Sequence, residues 1–380
     1  MPLVFRDVPK KIAVVLFCTF VFFSCAHTDK STKHKSPEKN TIKMIAVGDN
    51  LIHIELIKNA QTENDDVYNF DKYYTEVKDI IEDADIAFIN QETLTAGKDY
   101  IYSGYPAFNG PKDLTATIVR LGFDVVNHAT NHSMDKGDKA LIDDMKNWAT
   151  YPDVAVLGVH LSQADRDTKK IIVHKNNISI GFLSYTYGLN GIPLPKDKPY
   201  LVSLIDKPVM AKEIDALRPL CDMLVVSMHW GNEYEHTPSK MQEDLANFLA
   251  EHNVDLVIGH HPHVLQPVRF IDRPDGKKML VYFSLGNFIS AQNKNATLLG
   301  GMMNVVVHKE NGKIIFKNAQ LIPLVTHYDR AYKNFKVYFL NNYTEDLAVT
   351  HGLYSKAKIT LIDFFAHLFD TITDAGNLQK

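Results

Sequence analysis

Cysteine is nearly absent from this chain of 380 residues, with three copies at positions 18, 25 and 221. A disulfide framework is thereby excluded, and with it the small cross-linked secreted scaffolds; stability has to come from a buried apolar core. Basic excess is missing too: 41 Lys and Arg stand against 45 Asp and Glu, a formal charge of −4. Such a balance excludes a general nucleic-acid binder, which needs cations to displace the phosphate counterions. No internal repeat and no low-complexity block occurs after Thr41, and 45% hydrophobic content excludes a disordered chain. Histidine runs the other way, with 17 copies, several of them in short tracts, and that enrichment points to metal.

The one long apolar run is N-terminal. Lys10-Lys11, then Ile12–Phe23, then the small residue Ser24 reproduce the charged, apolar and small-residue regions of an export signal over residues 1–24. The run is too short to span a bilayer comfortably. The tetrad Phe22-Phe23-Ser24-Cys25 resembles a bacterial lipobox, whose cysteine carries the lipid, so Cys25 is the expected lipidation site. Residues 26–41 are rich in Lys, Ser and Thr without apolar periodicity, which reads as a flexible tether. The expectation is an exported, membrane-anchored lipoprotein of the cell envelope, folded from Ile42 onward. Without residues 1–24 the charge becomes −6.

From Ile42 the chain alternates β-branched runs with helical spacing, which predicts an α/β fold. The expected strands are Ile42–Val47, Ile86–Asn90, Asp124–Asn127, Val154–Gly158, Met223–Met228, Val254–Ile258 and Met279–Ser284. Helical spacing covers Tyr73–Ala84, Asp113–Leu121, Gly137–Trp148, Ala211–Leu217 and Ser239–His252. Asn176-Asn177 and Asn311-Gly312 each sit between β-rich runs and predict hairpins. The main domain is expected over residues 42–325, followed by a C-terminal extension, 326–380, whose amphipathic helix Ile359–Ile372 packs Leu361, Phe364, Phe365, Leu368 and Phe369 on the body.

Polar clusters follow the carboxyl ends of six of these strands, where open α/β sheets place ligands. They are Asp49-Asn50-Leu51-Ile52-His53, Asn90-Gln91-Glu92, Asn127 through Gly137 with Asn131, His132 and Asp135, His229-Trp230-Gly231-Asn232-Glu233-Tyr234, Gly259-His260-His261-Pro262-His263, and Leu285-Gly286-Asn287. Carboxylate oxygen with imidazole nitrogen suits Zn, Mn or Fe at about 2.0–2.2 Å, and a shared carboxylate builds a two-metal site with a spacing of roughly 3.5–4 Å. No cysteine falls in any cluster, which argues against a structural zinc finger or an iron–sulfur centre.

In order and spacing, these residues between Ile42 and Val325 resemble the bacterial capsule-synthesis proteins of the CapA/PgsA (poly-γ-glutamate synthesis, PGA_cap) family, which look like calcineurin-type metallophosphoesterases. The resemblance implies a four-layer α-β-β-α sandwich holding two divalent metal ions at the sheet ends. It implies Asp49, His53, Glu92, Asn131, His229, His261 and His263 as metal ligands, with Glu92 where the phosphoesterases have a bridging Asp. His132, with Asn131 and Asp135, is implied as the catalytic group that stabilises the leaving atom. Asn90, Asn127, His260, Trp230, Glu233, Tyr234 and Asn287 then support ligands or line the substrate pocket.

Two functions follow from the resemblance. One is a metal-dependent hydrolase using a metal-activated water on a phosphoester or related bond. The other is a non-catalytic accessory protein that binds anionic polymer or scaffolds capsule assembly with other exopolymer proteins at the membrane. A surface adhesin with a degenerate site ranks third, because nearly every ligand type is present.

Overall fold

The computed structural model describes residues 39–354 and 360–375. The export segment, Cys25 and most of the 26–41 tether lie outside the described residues. Four strands come first: β1 (Thr41–Asn50), β2 (Ile86–Gln91), β3 (Val125–Asn127) and β4 (Ala155–Leu157). Six follow in a second sheet: β5 (Ile171–Lys175), β6 (Ile178–Thr186), β7 (Met223–His229), β8 (Leu256–His260), β9 (Val268–Asp272) and β10 (Lys278–Tyr282). The chain then returns to the first sheet with β11 (Asn287–Ile289), β12 (Leu299–Glu310), β13 (Lys313–Asp329) and β14 (Lys333–Phe339).

The larger sheet runs β14-β13-β12-β1-β2-β3-β4, with β11 added beside β1; the smaller runs β5-β6-β7-β8-β10-β9. Within them β1-β2-β3-β4 and β6-β7-β8-β10 pair in parallel. Parallel pairing puts all of their carboxyl ends on one side, and the connecting helices cover the outer faces. Strand β7 shows the layering residue by residue. Met223 and Val225 join the core between the sheets, whereas Leu224, Val226 and Met228 join a second core under the helices Lys207–Leu217 and Lys240–Glu251. Opposite faces of one strand thus serve two layers. The expected α/β four-layer sandwich is the architecture adopted. Helix Lys240–Glu251 opens on a capping box between Ser239 and Gln242.

One expected element requires correction. Helical spacing over Tyr73–Ala84 becomes a 3-10 turn, Asp71–Tyr73, and a short helix, Lys78–Glu82. Between them two tyrosine hydroxyls are tied to other elements, Tyr73 to the Leu56 carbonyl at 2.6 Å and Tyr74 to Asn50 Oδ1 at 2.7 Å, so tertiary anchoring overrides the local period. Residue 325 lies inside β13, and β14 pairs with β13 antiparallel through Leu324↔Phe339, so the same sheet runs on to Phe339. Strand β1 begins at Thr41, next to the start expected near Ile42. The C-terminal helix spans Leu361–Ala375, with Leu361, Phe365 and Ile372 buried in the common core. Among the described residues no helix is long and apolar enough to cross a membrane.

Candidate metal centre

Close approach of the two sheets at their carboxyl ends creates the site. A Cβ on Gly48 would lie 1.9 Å from the Gly286 carbonyl oxygen, and one on Gly259 would lie 1.9 Å from that of Phe283. Only glycine permits this proximity. It lets Asp49 donate its N–H to the Gly286 carbonyl at 2.9 Å and brings Asp49, at the end of β1, against the loop that follows β8.

Asp49 is fully buried and held from several sides. Asn90 Nδ2 donates to its Oδ1 at 2.7 Å, and His263 Nδ1 donates to its Oδ2 at 3.0 Å. The amide chain continues, Asn127 Nδ2 donating to Asn90 Oδ1 at 2.6 Å and Ser184 Oγ donating to Asn127 Oδ1. One line of hydrogen bonds therefore runs through β1, β2, β3 and β6 and aims the Asp49 carboxylate. Asn287 completes the hold on His263: its Oδ1 lies 3.1 Å from His263 Nδ1, and its own Nδ2 donates to the Thr297 carbonyl at 2.9 Å. With Nδ1 spent on oxygen acceptors, His263 Nε2 is the free donor atom.

Glu92 sits next to this arrangement with the opposite condition. Both of its carboxylate oxygens are buried and without a hydrogen-bond partner. Two groups of ligand atoms lie mutually within 4.8 Å, Asp49–Glu92–His229 and Glu92–His261–His263, and Glu92 belongs to both. His229 Nδ1 and His261 Nδ1 are likewise buried without a partner. Unpaired buried carboxylate and imidazole atoms each cost free energy unless something binds them. This donor set, oxygen and nitrogen without sulfur, fits divalent metal ions, with Glu92 placed to be shared between two.

The electrostatics follow from burial. Desolvation would raise the Asp49 carboxyl, but the hydrogen bond and charge of His263, with His260 and His229 behind it, hold it well below its ordinary value. Burial raises Glu92, and the neighbouring Asp49 charge raises it further. Burial lowers His229 and His260 to about 3 and His261 well below its usual range, so these three are neutral imidazoles, the form that binds metal. His263 alone moves up, because the Glu92 charge and the Asp49 hydrogen bond outweigh its desolvation. Backbone strain is concentrated here as well: His261 and His263 have φ of 98° and 59°.

His132 adjoins the trios. Its Nδ1 lies 2.7 Å from Asp135 Oδ2, which also accepts the Phe108 N–H at 2.6 Å, and its Nε2 is 4.0 Å from Glu92. The Phe108 ring meets His132 edge-on at 4.7 Å and His53 at 5.1 Å. Asn131 points its Oδ1 at His229 Nε2, 2.8 Å away, and its Nδ2 at Asn190 Oδ1, 3.1 Å away.

The structure thus brings together Asp49, Glu92, His229, His261, His263, Asn131, His132 and Asp135, with Asn90, Asn127 and Asn287 supporting them. His260 stacks on Phe88 at 5.7 Å with Nδ1 3.7 Å from Asp49. His53 belongs to neither trio; it caps the helix Ile54–Ala60, and its Nδ1 meets the Leu51 carbonyl at 3.0 Å. Trp230 is no pocket wall. Its Nε1 donates to the Phe283 carbonyl at 2.9 Å, and its ring stacks on Phe283 in the outer core. Tyr234 and Glu233 are exposed, and Tyr234 holds a φ of 67° by donating its N–H to the Pro262 carbonyl at 2.8 Å.

Sequence reasoning missed Tyr187, whose half-exposed ring lies 4.5 Å from that of His261 and parallel to His229 at 6.4 Å. It immediately follows β6, whose β-rich run reads from the sequence as Ile178–Tyr185, one residue short of the observed end at Thr186. Phe108, Asn190 and Lys294 come from irregular loops that carry no such signal.

Comparison with known proteins gives a family and a set of relatives. The model of the bacterial capsule synthesis protein PGA_cap matches residues 43–292. The capsule biosynthesis protein CapA of Bacillus anthracis is 28% identical over 334 residues, covering 83% of this chain and 76% of the relative. The PGA biosynthesis protein CapA of Bacillus subtilis is 31% identical over 189 residues, 49% of this chain and 47% of the relative. Among solved structures, a calcineurin-like phosphoesterase of Bacillus subtilis aligns with a TM-score of 0.45 at 12% identity, over 89% of this chain and 99% of that one.

Proposed function

The chain belongs to the bacterial capsule synthesis protein PGA_cap family, and from that premise we propose that it is a two-metal hydrolase of capsule or poly-γ-glutamate assembly. The proposed substrate is a phosphoester or a related electrophilic bond. The observation that carries this reading is Glu92: a buried carboxylate with no hydrogen-bond partner, common to two groups of ligand atoms.

Asp49, Glu92 and His229 would hold one ion, and Glu92, His261 and His263 the other. Two divalent ions bound there supply Lewis acidity and an acidified water. The protein's own residues do the rest. The Asn127–Asn90 chain fixes the Asp49 carboxylate, and Asn287 and Asp49 together fix the face that His263 presents. Asp135 accepts the hydrogen bond from His132 Nδ1–H and so orients the ring with Nε2 towards Glu92 and the pocket, where the doubly protonated ring would place its Nε2 proton on a departing oxygen and the singly protonated ring would accept one. Phe108 and Tyr187 wall the pocket and limit water. His53 and Asn131 are carried as further ligand candidates.

Localisation is part of the same proposal: export by residues 1–24, lipid attachment at Cys25, and work in the cell envelope, on the outer side of the cytoplasmic membrane or in the periplasm, beside other exopolymer assembly proteins. Nucleic acid is not among the proposed partners.

The test is metal content and hydrolysis on one preparation. Elemental analysis comes first, then Mn- and Zn-supplemented assays on phosphomonoesters, phosphodiesters and γ-glutamyl oligomers, with Asp49→Ala and His261→Ala as controls. Two equivalents of metal, and turnover that both substitutions abolish, are expected. Metal with no turnover on any substrate would overturn the hydrolase and favour the polymer-binding accessory reading; folded protein that takes no metal would overturn both uses of the pocket.

A further inference from the structure

The net charge of −4 sets a problem for a protein that handles an anionic polymer, because the surface as a whole repels it. Local positive charge at the pocket mouth has to do the selecting. Bound divalent ions would supply part of it inside; the rim offers a second source.

Lys294 follows β11 in an exposed loop, and its ammonium lies 3.4 Å from the centre of the Tyr234 ring. Among the described residues it makes no ion pair within 4.0 Å, and its direction is set by the aromatic face. Tyr234 in turn stands beside the centre, its ring 6.3 Å from that of His263, and is locked there in a left-handed backbone conformation that an aromatic residue rarely adopts. The other histidine of the pair, His261, has Tyr187 beside it at 4.5 Å. Two half-exposed aromatic rings therefore border the His261–His263 pair, and one of them carries a cation.

Flat faces with an attached cation suit a chain whose repeating unit alternates a planar amide with a carboxylate. We propose that Lys294, seated on Tyr234, binds a substrate carboxylate one unit away from the reacting bond, while Tyr187 and Tyr234 take the adjoining amide planes. The inference rests on the pocket's being the place where the polymer is handled, but not on hydrolysis there. Glu233, whose charge is felt at the Tyr234 hydroxyl, opposes the same anion and supplies a control of opposite sign.

Binding of penta-γ-glutamate to the Mn-loaded full chain, followed by calorimetry, reads this directly. Lys294→Glu is expected to weaken binding about tenfold, in line with loss of a charge-assisted contact, while Lys294→Arg retains it. Glu233→Gln is expected to tighten binding, and the pentamer's methyl ester to bind parent and Lys294→Glu alike. Rising salt should weaken the parent more than Lys294→Glu. Equal pentamer affinity in parent and Lys294→Glu, or no pentamer binding by the parent, overturns the proposal. Lys294-dependent binding without turnover on any ester would leave this inference standing and remove the hydrolase; turnover on the pentamer with an unchanged KM in Lys294→Glu would do the reverse.

Discussion

Two buried carboxylates, Asp255 and Glu92, show what distinguishes a structural acid from a functional one in this molecule. Asp255 sits just before β8 and is satisfied on all sides: Arg218 and Arg273 donate to it, and the Leu224 N–H reaches its Oδ2 at 2.8 Å. Glu92 follows β2 with no donor on either oxygen. Burial is nearly complete for both. Their surroundings differ, since one is closed by permanent cations of the chain and the other has no donor of its own beside His229 and His261, imidazoles that burial keeps neutral, and His263, whose proton is shared with Asp49. A carboxyl group left without a donor in such a pocket is costly to the apo fold and of use only to an added cation. Stability and function are thus written in the same residue type with opposite hydrogen-bond accounting.

The largest effect that sharpens this contrast is expected from Asp255→Ala. Removing it takes from Arg218 and Arg273 the carboxylate they share, leaving Arg273 with Asp275 and Arg218 with the Cys221 and Asp222 carbonyls, and chemical denaturation should show a loss of about 3 kcal/mol while the metal content of the remaining folded protein stays the same. Glu92→Gln should behave in the reverse manner. Its metal-free form is expected to be at least as stable as the parent in thermal melts, and its metal affinity to fall by ~100-fold or more in a chelator competition. A melting temperature lowered by this substitution in the absence of metal would break the comparison.

Dependence on pH gives the next effect, and it arises at the centre. Glu92 and His263 both titrate above their ordinary values in the fold, so the native state holds protons that the unfolded chain releases. Each contributes stability that is full below its unfolded value and is lost as pH rises through its folded one. His229, His260 and His261 act oppositely, but only below about pH 6.5. Metal-free protein should therefore lose stability from pH 6.5 to 8, and Glu92→Gln should flatten that slope; denaturant midpoints across the range measure it. Metal saturation should reverse the trend, because the ligands bind in their deprotonated forms.

The smallest expected effect concerns Trp230. As a core residue with one hydrogen bond, Trp230→Phe should cost on the order of 1 kcal/mol of stability and leave metal affinity unaltered. A change in metal affinity without loss of stability would return it to the pocket wall.

Much of the centre was legible beforehand, because strand-end placement is a local property. A β-rich run followed at once by Asp49, Glu92, His229 or His261 announces both the strand and its polar tip. The assembly of the centre, by contrast, is not local: Asp49 and His263 are 214 positions apart and meet at 3.0 Å only because two sheets converge over Gly48 and Gly259. Trp230 illustrates the same limit. It lies next to His229 in the chain, yet strand alternation turns the two side chains to opposite faces, one into the pocket and one under the helices. Tyr187 went unnoticed because a shift in the end of β6 hid its position after the strand. The break within Tyr73–Ala84 and the addition of β14 arose from long-range ties that no window of sequence contains.

By itself the sequence determined the α/β class, the set of ligand-type side chains and their positions at strand ends, since these depend on periodicity and residue chemistry within a few neighbours. Tertiary structure alone decided which of those side chains share a pocket, that Glu92 is the one common to both trios, that Trp230 belongs to the core, and that Lys294 reaches the rim. The physical reason is that close approach of backbones, desolvation and the pairing of charges are properties of distance in space, and chain separation says little about them.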